Sequence, residues 1–90
     1  MAVNSTRVFT KLLNAQDFLL TANMGLRSVS FVLISGVGTF KGQLDVQGNI
    51  STPLPLTIGQ AVTISVEGNQ ILDGIEILGS GGVIHIIAKH

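Results

Sequence analysis

The chain has 90 residues, five basic and five acidic side chains, and no cysteine. A domain of this size buries only about 60–65% of the surface of its unfolded chain, and the lack of cysteine excludes disulfides and thiolate metal sites. The charged fraction is 11%, against roughly 25% in soluble domains, and zero net charge offers no attraction for nucleic acid or an anionic membrane. We therefore expect other copies of the chain, or a partner, to cover part of its surface.

The amino-terminal segment, residues 1–18, has no continuous apolar core after its early charge, so it lacks the features of a signal peptide. The longest apolar run, residues 31–34, is too short to cross a bilayer. We expect one β domain over residues 1–90, made in a cytoplasm, in which residues 1–5 form a flexible or extended arm.

Two short strands are predicted near the start of the chain, at residues 6–13 and 18–23. Between them, residues 14–17 (Asn-Ala-Gln-Asp) have the composition of a turn. The leucines of residues 11–20 also fall at helical spacing, so one helical turn is the alternative there. We favour the strands.

The middle of the chain alternates between apolar and polar residues with period two, as half-buried strands do. The alternation predicts strands at residues 28–34, 37–47, 54–58 and 61–67. In the second of these we expect Phe40, Gly42, Leu44 and Val46 to point inward, and in the last Val62, Ile64 and Val66. Pro55 cannot donate a ladder hydrogen bond, so its strand should lie at an edge or beside a bulge.

The last segment is predicted to be a hairpin closed by the four residues Gly79–Gly82. In that register Leu78 pairs with Val83 and Glu76 with His85. Four isoleucines then share the buried face, namely Ile75, Ile77, Ile84 and Ile86. The preceding hairpin, with a turn at Gly68-Asn69 that pairs Val66 with Ile71, needs a bulge at Asp73-Gly74 or a longer loop.

Short strands with frequent turn signals predict an all-β fold. We expect an antiparallel β-sandwich (jelly-roll-like) or a closely related barrel with about 7–8 short strands. No ten-residue helical pattern separates the strands to build a parallel sheet.

The segment SGVGTFKGQ, residues 35–43, has the glycines and the lysine of a phosphate-binding loop. A P-loop, however, places Gly-Lys-Ser/Thr before a helix, whereas Lys41 precedes Gly42, Gln43 and a predicted strand. The kinase loop spacing G-x-G-x-x-G is also missed by one residue. We therefore predict a turn at Gly36–Gly38 and no nucleotide binding.

Other catalytic and metal-binding patterns are also missing from the sequence. His85 and His90 fall on opposite faces of one strand, and Asp17, Asp45 and Asp73 lack the clustered spacing of a calcium loop. Without Trp or Tyr, the stacking platforms for sugars and single-stranded nucleic acid are absent. We expect no catalytic, cofactor-binding or metal-binding residues, no cofactor, and no enzyme activity.

The run Gly38-Thr39-Phe40-Lys41-Gly42-Gln43-Leu44 follows a strand of alternating apolar residues and precedes Gly48. The segment 74–86 loosely follows the pattern of a closing hairpin, Gly-x-x-x-Val-x-x-x-x-Gly-x-Val-x-Val. Over residues 27–88 the sequence resembles the small β-sandwich modules of tailed-bacteriophage virion proteins, although Phe40 stands where Trp is usual and the middle loop is short. The resemblance implies a non-enzymatic virion part, either a capsid decoration protein or a tail or fibre component.

Two classes of function follow. The first is a virion structural protein that forms a homotrimer or another homo-oligomer and docks on virion proteins such as the major capsid protein. The second is a small binding module for a carbohydrate or a cell-surface partner, which the missing Trp and Tyr disfavour. The expected self-association or docking surface consists of apolar residues left over after the core faces are assigned, namely Leu33, Leu78, Val83 and Ile87. No partnership with nucleic acid or membrane is expected.

Overall fold

The structure, a computed structural model, describes residues 6–90. The strands are β1 (Val8–Leu20), β2 (Ser28–Gly36), β3 (Thr39–Lys41), β4 (Leu54–Pro55), β5 (Ala61–Ser65) and β6 (Ile75–Lys89). A short 3-10 helix at Ala22–Met24 separates the first two strands. The expected arm at residues 1–5 lies outside the described residues.

Strand β6 is the centre of a curved antiparallel sheet that forms half of a barrel. Strand β1 pairs along the whole length of one side of β6. On the other side, β2 pairs with the carboxyl-terminal half of β6 and β3 with its amino-terminal half. Strands β5 and β4 add to the outer sides of β2 and β3. The predicted all-β, barrel-related fold is confirmed, with six strands in place of seven or eight.

The predicted closing hairpin is wrong, because β6 continues through Gly79–Gly82 as a single strand of 15 residues. Glu76 therefore lies opposite Leu19 and Lys41, far from His85 along the strand. The turn predicted at residues 14–17 is also absent, since β1 is continuous over 13 residues. The two long strands pair with each other, which satisfies the backbone without a turn. The prediction of strand rather than helix over residues 11–20 is confirmed.

The two glycine-rich segments of the sequence meet where the long strands bend. Opposite the single residue Ala15, β6 has three residues, 80–82, and the pairing resumes at Gln16 with Gly79. On the other side of β6, Gly36 pairs with Gly82, and Gly36 has a φ of +75°. A Cβ on Gly36 would collide with the carbonyl oxygen of Gly81. Glycine thus allows three backbones to approach and the sheet to bend.

The core lies on the concave face of the sheet. The four isoleucines predicted to be buried are buried, and Phe31 and Phe40 pack edge to face with their ring centroids 5.2 Å apart. Val62, Ile64 and Val66 pack against this core as predicted. The fully buried side chains at its centre are Leu13, Leu20, Val29, Phe31, Leu33, Ile77 and Ile84.

The predicted strand over residues 37–47 is confirmed only at Thr39–Lys41. Beyond Lys41 the chain pairs with no strand of the main sheet within residues 6–90. Leu44 and Val46 are therefore exposed rather than buried. The strand around Pro55 does lie at the sheet edge, as predicted. The hairpin predicted around Gly68-Asn69 does not form, because β5 pairs with β2 and residues 66–74 form a loop.

Candidate interaction surfaces

The segment SGVGTFKGQ is a turn followed by a short strand, as predicted. Gly36 has the positive φ that the turn requires, and Thr39–Lys41 form β3. The Nζ of Lys41 lies 3.6 Å from a carboxylate oxygen of Glu76, and both side chains are partly exposed. The lysine therefore pairs with a carboxylate of the neighbouring strand β6. The absence of nucleotide binding stays a prediction.

Within residues 6–90, no three His, Asp or Glu side chains come together in a group that could hold a metal ion. No helix in this part of the chain is long and apolar enough to cross a membrane. A shallow polar concavity of about 490 Å³ lies at one end of the sheet. Its basic lining residues are Arg27, Lys89 and His90, and the other described residues around it are mainly Ser and Thr.

The four residues predicted to form a docking surface do not form one exposed patch. The prediction that Leu33 lies on this surface is wrong, because its side chain is only 1% exposed and belongs to the core. Leu78 and Val83 are half-buried, and Ile87 is 55% exposed. Strict alternation from Val29 would have placed Leu33 inward. Its neighbour Ile34 is the exposed residue.

Exposed apolar side chains are instead spread over the loops and several strands, β1 above all. Within residues 6–90, fourteen large hydrophobic side chains are exposed, against thirteen hydrophobic residues buried in the core. The exposed set is Val8, Phe9, Leu12, Leu19, Met24, Ile34, Val37, Leu44, Val46, Ile50, Leu54, Ile58, Ile71 and Ile87.

Three of these side chains lie in one exposed loop, residues 43–51, which we name the apolar tip. Leu44 and Ile50 form an isolated antiparallel bridge. They are 62% and 81% exposed, and Val46 is fully exposed. Sequence analysis missed this surface, although an Asp three residues before Gly-Asn is a recognisable turn signal.

The tip is held in shape by Asp45. Its Oδ1 accepts hydrogen bonds from the backbone N–H groups of Gln47 and Asn49, both at 2.9 Å. Its own N–H donates to the carbonyl oxygen of Asn49 at 2.8 Å, and the N–H of Gly48 donates back to Asp45 at 3.1 Å. The exposed apolar residues are therefore presented by an ordered turn.

An apolar groove of about 340 Å³ lies beside the amino-terminal half of β1, and we name it the edge groove. Core residues such as Ile86 form its floor, while Phe9 and Met24 remain 42% and 40% exposed. Along the described chain, the outer edge of β1 has no strand partner. The described residues that line the groove are Phe9, Thr10, Lys11, Phe18, Met24, Leu26, Ile86 and Ala88.

In comparisons with known proteins, no protein-family model, curated protein or solved structure matches this chain. The resemblance of residues 27–88 to phage virion modules stays a prediction. Over residues 6–90, the structure establishes a half-barrel whose long edge strand β1 has no partner on its outer side, an apolar groove beside that edge, and a highly exposed apolar tip.

Proposed function

We propose that this chain is a non-enzymatic structural protein of a bacteriophage virion, either a capsid decoration protein or a tail or fibre component. It associates with copies of itself and docks on a larger virion protein such as the major capsid protein. The class of virion protein comes from the sequence resemblance over residues 27–88. The association with other subunits is inferred from the exposed apolar side chains and the edge of β1.

The observation that carries the proposal is the balance between exposed and buried apolar side chains. Exposed large hydrophobic residues are at least as numerous as the buried hydrophobic ones in residues 6–90. Single exposed hydrophobic residues are ordinary, but apolar groups gathered along an edge and a tip mark interaction sites. Covering them with protein contributes about 25 cal/mol for each Å² of apolar area removed from water.

The outer edge of β1, which has no strand partner among residues 6–90, supports the same conclusion. A 13-residue edge strand presents a row of backbone donors and acceptors. Natural edge strands are usually short, charged or interrupted by proline, and β1 carries Lys11 and Asp17 as its two charges. The register shift at Ala15 interrupts the ladder between β1 and β6, but each half of β1 still presents several consecutive residues. In an assembly a neighbouring subunit covers such an edge.

Light scattering across a dilution series tests the proposal, first with the purified protein and then with the capsid and tail proteins of neighbouring genes. We expect a homo-oligomer, or co-elution with one of those proteins. A glycan array run in parallel tests the alternative function, a binding module for a carbohydrate. A strict monomer that joins no virion protein would defeat the proposal, and saturable glycan binding by that monomer would favour the alternative.

A further inference from the structure

We propose that the edge groove of one copy receives the apolar tip of a second copy, so that subunits join head to tail. This inference rests on the self-association proposed above and assigns it to two particular surfaces. Both surfaces are apolar: the groove is concave, and the apolar side chains of the tip are highly exposed and so able to enter it.

The tip is suited to insertion because it is already ordered. The two amides bound by Asp45 hold the turn before any partner arrives. Binding by a preformed loop loses less conformational entropy than binding by a flexible loop. Insertion would remove from water three of the most exposed hydrophobic side chains in the described chain, those of Leu44, Val46 and Ile50.

The groove is suited to receive apolar side chains because its floor continues the core. Leu26, Ile86 and Ala88 are buried beneath it. Phe9 and Met24 also line the groove, and the exposed part of each side chain is accessible to an inserted residue. A central apolar contact of this kind, with aromatic and Met side chains around it, is typical of the core of a protein interface.

The charges at the two surfaces are complementary. Asp45 is the single charged residue of the tip, and Lys11 is the charged residue among the described residues that line the groove. The Oδ1 of Asp45 is occupied within the tip, but no hydrogen bond to its Oδ2 is formed among residues 6–90. Within the same residues, neither Lys11 nor Asp45 belongs to an ion pair. An ion pair between them would set orientation and steer encounter.

The tip and the groove are different surfaces, so their contact is heterologous rather than two-fold symmetric. A heterologous contact closes into a ring or continues as a filament, depending on the rotation between neighbours. The competing arrangement is a two-fold contact in which two β1 edges pair. Cysteine trapping distinguishes the two, because the natural chain has no cysteine.

The first experiment mixes Val46→Cys protein with Met24→Cys protein under mild oxidation, both alone and on assembled particles. Each variant carries one thiol, so a dimer between the two chains reports the tip in the groove. The matched control mixes Val37→Cys with Met24→Cys, because Val37 is also an exposed valine, 71% exposed, and lies outside the tip. Leu12→Cys, on β1, reports the two-fold contact by linking to itself.

We expect the mixed disulfide with Val46→Cys and much less with Val37→Cys. Self-linking of Leu12→Cys without the mixed product would overturn the inference. Oligomers that yield no mixed product would also overturn it but leave the proposed function standing. A monomer that joins no virion protein would overturn both.

A second measurement uses charge instead of a thiol. Val46→Glu should raise the dissociation constant of self-association about tenfold or more, because it places a carboxylate in an apolar contact. Val37→Glu is the matched control and should leave the constant unchanged. Thermal unfolding of both variants checks that the fold is intact. Equal dissociation constants for the two variants would contradict the proposed contact.

Discussion

Strand β2 and the apolar tip have similar sequence patterns, but the apolar side chains of β2 are buried and those of the tip are exposed. In β2, the alternating residues Val29, Phe31 and Leu33 are buried against β5 and β6. In the tip, Leu44 and Val46 continue the same kind of alternation and are exposed. The difference is the neighbour: β2 has a strand on each side, and the tip pairs only with itself through Leu44 and Ile50 within the described chain.

Period-two alternation therefore identifies a segment that can bury one of its faces. It does not identify the strand or subunit that covers that face. For β2 the covering partner is in the same molecule. For the tip no described residue of the chain covers it, and we propose that a second copy does.

The largest effect is expected at the glycine that ends β2. Gly36→Ala should lower the free energy of unfolding by roughly 3–5 kcal/mol, because a Cβ there is strained at positive φ and collides with backbone. Gly48→Ala in the tip is the control, since Gly48 also has positive φ but open space around it. It should cost about 1–2 kcal/mol. Similar costs in urea denaturation would mean that β2 and β6 do not approach closely at the bend.

The second effect compares one substitution at two valines. Val29→Ala should cost about 2 kcal/mol or more, because it leaves a cavity in the core. Val46→Ala removes the same atoms from a fully exposed site and should change monomer stability by less than about 0.5 kcal/mol. Thermal or chemical denaturation at low protein concentration measures both. A large loss for Val46→Ala at that concentration would show that the tip is packed within the monomer.

The third effect is local to the tip. Asp45→Ala removes the acceptor of two amide hydrogen bonds, each worth about 1 kcal/mol. Hydrogen exchange of the amides of Gln47 and Asn49 should become faster, while the global free energy of unfolding changes little. Asp45→Asn keeps an acceptor oxygen and is the conservative control. Unchanged exchange in Asp45→Ala would show that Asp45 does not order the tip.

The smallest effect is expected where β3 ends and the tip begins. Glu76→Gln removes the ion pair with Lys41 and should cost less than about 1 kcal/mol, because both side chains are partly exposed. The loss should shrink as salt is added. Glu67→Gln, at an exposed residue outside the sheet, is the control. A cost that salt does not reduce would indicate that Glu76 acts through packing rather than charge.

The sequence by itself determined that the fold is all-β and, in some of the strands, which side chains face the core. Alternation placed Val62, Ile64 and four isoleucines on the buried side, and the structure agrees. It also placed Pro55 at an edge. These results depend on local periodicity and on the missing N–H of proline, which are properties of short segments.

Only the tertiary structure decided the path of the long strands. Gly79–Gly82 has a local sequence that suits a hairpin turn, and the same glycines suit a bend inside a continuous strand. The outcome depended on β1 and Gly36, which are distant in sequence and pair with opposite sides of β6. A glycine's freedom is local, but the conformation it adopts is selected by the backbones that pack against it.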